Sequence, residues 1–163
     1  CFCFCVVLKS FYGFRITVGE SMSPTLQNKE IFISKNFNHS KDSVNRFDVI
    51  IVTDPTDISS LLVKRIVALP GETVEIKEGV IYLNEKKLED SFGDGSKVYV
   101  YLVDESDEHL IEWGTGKKVI RYIDEKKMTI PKNRLWVIGD NRSESWYGVV
   151  EIKEIKGRIL WGY

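Results

Sequence analysis

Leu61-Leu62-Val63-Lys64-Arg65-Ile66-Val67-Ala68-Leu69 would be apolar on both faces if extended, interrupted only by two adjacent cations. Its length and β-branched content favour a buried strand over a helix. On a pleat, Lys64 shares a face with Leu62, Ile66 and Ala68. A lysine on a buried face loses solvation in its charged form, so its pKa falls. A fall from about 10.4 to about 8 corresponds to roughly 3 kcal/mol. The alternative is a lysine at a strand edge whose ammonium snorkels to water.

Similar short stretches recur on either side of this run: Phe14–Val18, Ile31–Ser34, Val49–Thr53, Thr73–Ile76, Val80–Leu83, Val98–Val103, Val119–Ile123 and Leu135–Ile138. Many are bounded by Gly, Asn, Asp or Pro, the pattern of closely spaced antiparallel strands. No stretch sustains a helical period, so the fold class expected is all-β. From Glu85 to Lys127 the composition changes, with a Gly/Asp loop at Asp90–Gly95, an acidic cluster at Asp104–Glu108, and basic Lys117, Lys118 and Arg121. This segment, 85–127, reads as an insertion into a main β domain made of 9–84 and 128–163, not as an independent unit. Its charge clusters are by default solvated hairpin faces.

The chain has 163 residues, 43% hydrophobic and 29% charged, with a net charge of -1. That is enough for one domain with a proper core. The near-zero charge gives no global attraction to nucleic acid. Cys1–Leu8 carries no charge but is far shorter than the about 20 residues a spanning helix needs. It reads as the trailing end of a membrane anchor, with Lys9, Phe11 and Tyr12 at the interface; an edge strand is the alternative. A cleavable targeting peptide fits poorly, because no basic region precedes the run. Cys1, Cys3 and Cys5 all lie in it, so the body offers no thiol nucleophile. No second half-site accompanies them, so no metal is expected.

Serine hydrolases usually borrow a histidine base, and only His39 and His109 exist, both in polar stretches typical of surface histidines. A base would have to come from elsewhere, and Lys64 is the candidate. Its partner would be Ser21, in Gly19-Glu20-Ser21-Met22-Ser23-Pro24-Thr25-Leu26, where a strand ends and a tight turn begins. Such a turn can expose a hydroxyl and aim backbone N–H groups, chiefly that of Ser21, as an oxyanion hole. A neutral amine beside a hydroxyl can take its proton. Alone, the segment is also an ordinary polar turn. Gly139-Asp140-Asn141-Arg142-Ser143-Glu144-Ser145 follows the apolar Leu135–Ile138. It is β-turn chemistry that could also aim a small hydroxyl at Lys64.

Together, S-M-x-P-T (Ser21–Thr25), R-x-D-V-I-I-V (Arg46–Val52), K-R-I-V-A-L-P-G-E (Lys64–Glu72), I-Y-L-N-E-K-K-L (Ile81–Leu88) and G-D-N-R-x-x-S (Gly139–Ser145) form an ordered series. The series resembles bacterial type I signal peptidases, from Phe11 to the end of the chain. The resemblance implies two antiparallel sheet systems with a cap-like insertion, and a Ser–Lys serine protease needing no cofactor. It implies Ser21 as nucleophile, Lys64 as general base, Ser145 as the serine orienting the lysine, and Asp140, Asn141 and Arg142 as the supporting turn. Met22 is then a substrate-binding residue. The implied substrates are secretory preproteins, cut after a small residue with another two positions earlier (Ala-x-Ala). The implied location is the outer face of the cytoplasmic membrane, with the bilayer, and no nucleic acid, as partner.

Three positions depart from the family pattern. Ser145 is followed by Trp146-Tyr147-Gly148 where an Asp-Ser-Arg tail is usual, so a buttress of the site is lost or replaced. Phe47 stands where Gly is usual, a local turn change, and Gly19 where some members carry a serine. Two rival readings remain. A self-cleaving Ser–Lys protease of the SOS-repressor type would follow a DNA-binding helical region, and no basic helical region is present. An inactive membrane-tethered relative would bind preproteins without cutting them.

Overall fold

The computed structural model describes residues 12–55, 57–89, 91–93, 97–103, 118–122 and 124–160. The expected anchor at 1–8, the three cysteines, Phe11, His109 and the acidic cluster 104–108 lie outside them. No described helix is long and apolar enough to cross a membrane.

The protein is all-β and every strand pairing is antiparallel. The strands are β1 (Tyr12–Ile16), β2 (Ile31–Asn36), β3 (Val49–Thr53), β4 (Leu61–Ala68), β5 (Thr73–Lys77), β6 (Val80–Leu83) and β7 (Lys86–Lys87). They continue with β8 (Tyr99–Val103), β9 (Lys118–Tyr122), β10 (Glu125–Thr129), β11 (Arg134–Ile138), β12 (Tyr147–Glu151) and β13 (Ile155–Ile159). One sheet runs β1-β2-β13-β3-β4-β11-β12, a second runs β10-β5-β6-β7, and β8 pairs with β9.

Burial explains the sequence pattern. β3, β4 and β11 lie at the centre of the large sheet and are covered on both faces, so they read as nearly unbroken apolar runs. β2, β5 and β13 alternate, as strands with one wet face do. Val67, Ala68, Trp136 and Ile138 of the large sheet pack with Val74, Ile76 and Ile81 of the second. Ile50, Val52, Ile66, Leu135 and Val137 form another core, and Met22, Leu26, Phe32, Val49 and Ile51 a third.

β4 departs from the simple pleat in one respect. Leu62 and Ile66 join one core and Ala68 joins another. Between Trp136 and Val137 the β4–β11 register shifts, Trp136 facing Ala68 while Val137 faces Ile66. An extra residue in one strand rotates the side chains beyond it to the other face. Lys64, ahead of the shift, stands opposite Ile50 of β3.

Candidate active site

Two chain segments meet beside Lys64 and Arg65, in the middle of β4. The turn after β1, residues 21–25, is closed by the Ser23 N–H donating to the Glu20 carbonyl and the Leu26 N–H to the Met22 carbonyl, at 3.0 Å each. Met22 and Leu26 are buried beneath it and hold it to the sheet. The turn after β11, residues 139–145, lies against it, with the Asn141 N–H donating to the Ser21 carbonyl at 3.2 Å. Only glycine fits at 139, because a β-carbon there would fall on the Ser21 carbonyl and the Ser145 hydroxyl.

Lys64 Nζ lies 2.9 Å from Ser21 Oγ. Lys64 is 2% exposed. Burial pushes its pKa down to about 8, against the opposing pull of the Asp140 and Asp54 carboxylates. A near-neutral amine in contact with a hydroxyl can accept its proton. The Ser21 N–H makes no hydrogen bond to any described residue, so it is available to an incoming oxyanion.

Beneath the pair lies a buried ionic network. Arg65 and Asp140 are both fully buried, with Arg65 Nε 2.7 Å from Asp140 Oδ1 and Nη2 2.6 Å from Oδ2. Thr25 Oγ1 donates to Asp140 Oδ2 at 2.5 Å, and Arg65 Nη1 donates to the Phe47 carbonyl at 2.8 Å. Fork-to-fork geometry and the extra hydrogen bonds offset desolvation that would otherwise outweigh the ion pair. Arg142, also buried, donates from Nε to the Gly139 carbonyl at 3.2 Å. The Asn141 side chain accepts from Ser143 Oγ at 2.8 Å.

Ser145 stands differently from its expected place. Its hydroxyl accepts from the Gly139 N–H at 2.8 Å and donates to the Trp146 carbonyl at 2.9 Å. No hydrogen bond joins it to Lys64. Both of its hydrogen bonds lie within its own turn, between β11 and β12.

Arg65 and Thr25 carry the network, yet sequence reasoning gave neither a role. The available signal was their place inside the K-R and S-M-x-P-T blocks, beside Lys64 and Ser21. Phe47 has φ of +71°, which accounts for glycine being usual at its position. The ring packs on Phe92 with centroids 5.3 Å apart, and Phe92 in turn lies 3.9 Å under the Arg65 guanidinium. His39 is exposed and its ring meets Phe37 edge-on.

A cavity of about 380 Å³ opens beside Ser21, with Met22, Phe32, Ile51 and Val63 in its walls. Met22 thus serves both the core and the cavity.

A family model described as "Signal peptidase, peptidase S26" matches residues 1–163. Signal peptidase I V of Bacillus subtilis is 30% identical over 149 residues, covering 86% of this chain and 79% of that protein. Signal peptidase I of Bacillus caldolyticus is 26% identical over 166 residues, covering 99% and 85%. The crystal structure of a signal peptidase I from Enterococcus faecalis superposes with a TM-score of 0.48 at 21% identity, over 73% of this chain and 98% of that one. By class the chain is a serine peptidase on an all-β scaffold. More particularly, it belongs to the signal peptidase family, peptidase S26, whose members remove signal peptides.

Proposed function

We propose that the chain cleaves signal peptides from secretory preproteins with Ser21 as nucleophile and neutral Lys64 as its general base. The observation that carries this reading is the 2.9 Å contact between Lys64 Nζ and Ser21 Oγ at a buried amine whose pKa is pushed down to about 8. As the Ser21 oxygen attacks the scissile carbonyl, its proton passes to Lys64. The Ser21 N–H stabilises the resulting oxyanion. The protonated lysine then returns a proton to the leaving amine, and water hydrolyses the acyl-enzyme by the same relay. Small side chains before the cut suit the apolar walls beside Ser21, which favours Ala-x-Ala sites. No cofactor enters any step.

The same reading places the enzyme on the extracytoplasmic face of the cytoplasmic membrane, held by an anchor ending near residue 8. Phe14, Ile16 and Val18, 80%, 58% and 91% exposed, form an apolar row suited to the bilayer. Residues 85–127 serve as a cap on the core, touching the site network through Phe92.

The test is cleavage of an Ala-x-Ala preprotein in detergent at about pH 8.5 by the native chain, Ser21→Ala and Lys64→Ala. Cutting after the second Ala by the native chain alone is the expected result, with each variant reduced by about a thousandfold or more. Binding of the preprotein without cutting by any of the three would instead make the chain a preprotein-binding relative.

A further inference from the structure

Among the described residues that line the cavity beside Ser21, Arg15 of β1 is the one that carries a charge. Ile16 borders the same cavity, and Arg15 is half-buried between the exposed Phe14 and Ile16. Its placement is fixed. Arg15 Nε donates to Ser34 Oγ at 3.1 Å, and the fully buried Ser34 hydroxyl donates to the Gly13 carbonyl at 3.4 Å. That arrangement holds the guanidinium by one nitrogen and leaves Nη1 and Nη2 without a described protein partner; no described carboxylate pairs with it. A half-buried guanidinium with an open donor fork is shaped for a carboxylate.

We propose that Arg15 is a specificity-determining residue of the Ser21 site, selecting preproteins that carry an Asp or Glu close to the cleaved bond. Arg15 and Ser21 line one cavity and lie six residues apart in the chain, at most about 20 Å, so a substrate seated on Ser21 and extended along that cavity reaches Arg15 within about six residues of its cut. The apolar walls near Ser21 accept the small side chain at the cut, and the far wall accepts the carboxylate. An Asp at that position gains charge-assisted hydrogen bonds, which favours it over Asn by about tenfold in kcat/KM. A lysine at the same position meets a like charge and is disfavoured.

This inference rests on the peptidase reading above. The experiment measures kcat/KM for peptides with an Ala-x-Ala site in which a single Asp, Asn or Lys is moved through the six positions on either side of the cut. The native chain is compared with Arg15→Gln, Arg15→Lys and Arg15→Glu. The expected result is one position at which the native chain prefers Asp to Asn, a preference kept in part by Arg15→Lys, abolished by Arg15→Gln and replaced by a preference for Lys in Arg15→Glu. Because preference is a ratio on one enzyme, a loss of folded protein in a variant does not mimic it. Equal use of Asp and Asn at every position by a native chain that cuts the parent peptide overturns the inference alone. A preference that survives Arg15→Gln also overturns it. No cutting of any peptide overturns the peptidase reading instead.

Discussion

At Lys64, burial and neighbouring carboxylates pull the proton affinity in opposite directions. Burial dominates and lowers the pKa to about 8, while Asp140 and Asp54 hold it from falling further. Lys64 must be neutral to accept the Ser21 proton. Its neutral fraction falls about tenfold per unit below the pKa and saturates above it. A kcat/KM profile from pH 6 to 10 should therefore climb through about 8 and level off; a flat profile would rule out the lysine base. Asp140→Asn tests the same balance from the other side. Removing that negative charge takes away a stabilising neighbour of the ammonium, so the inflection should move to lower pH. It also takes the carboxylate of a fully buried ion pair from Arg65, which should cost about 3–5 kcal/mol of stability in denaturant titrations.

Among the elements, the two turns that meet at Gly139 are each short, and both depend on what packs behind them. One support comes from the segment between β7 and β8. Phe92 lies under the Arg65 guanidinium and against the Phe47 ring, beside a residue with positive φ. Gly93 stands against the Arg142 guanidinium, where a β-carbon would press on it. Phe92→Ala should lower the thermal midpoint by an amount equivalent to about 1–3 kcal/mol, from lost ring packing and a lost cation–π contact. Activity per folded molecule should fall as well, because Arg65 holds Asp140 and Asp140 acts on Lys64. Equal midpoints for the variant and the native chain would show that this loop does not brace the network.

At the scale of the whole molecule, the edge of the large sheet next to the cavity carries several exposed apolar groups. Phe14 and Ile31 lie on the outer side of β1 and β2, 80% and 57% exposed, and neither lines the cavity. If that edge rests on a bilayer, Phe14→Ser combined with Ile31→Ser should weaken co-sedimentation with phospholipid vesicles several-fold. Cleavage of a short soluble peptide should be retained. Undiminished vesicle binding would move the membrane contact elsewhere.

Much of this architecture is written locally. Val49–Thr53 and Val80–Leu83 are strands at their expected bounds, because burial on one or both faces selects their side chains. Four strands left no such mark. Lys86–Lys87 is two residues long, and Glu125–Thr129 is exposed throughout and lysine-rich. Tyr147–Glu151 begins directly after a turn, and Ile155–Ile159 is broken by Gly157, which passes close to the Lys35 carbonyl. Sequence alone determined the all-β class and offered Lys64 as a candidate, since a lysine in an apolar strand is a local signal; Ser21 sits in an ordinary polar turn and was set apart by the ordered series of motifs that resembles the family. Only the tertiary structure decided that their atoms meet at 2.9 Å, that Arg65 and Thr25 share Asp140, and that Ser145 turns to the Trp146 carbonyl. Those outcomes depend on register and on the bulge between β4 and β11. Each moves a side chain by several ångströms without altering any pattern that composition or periodicity can reveal.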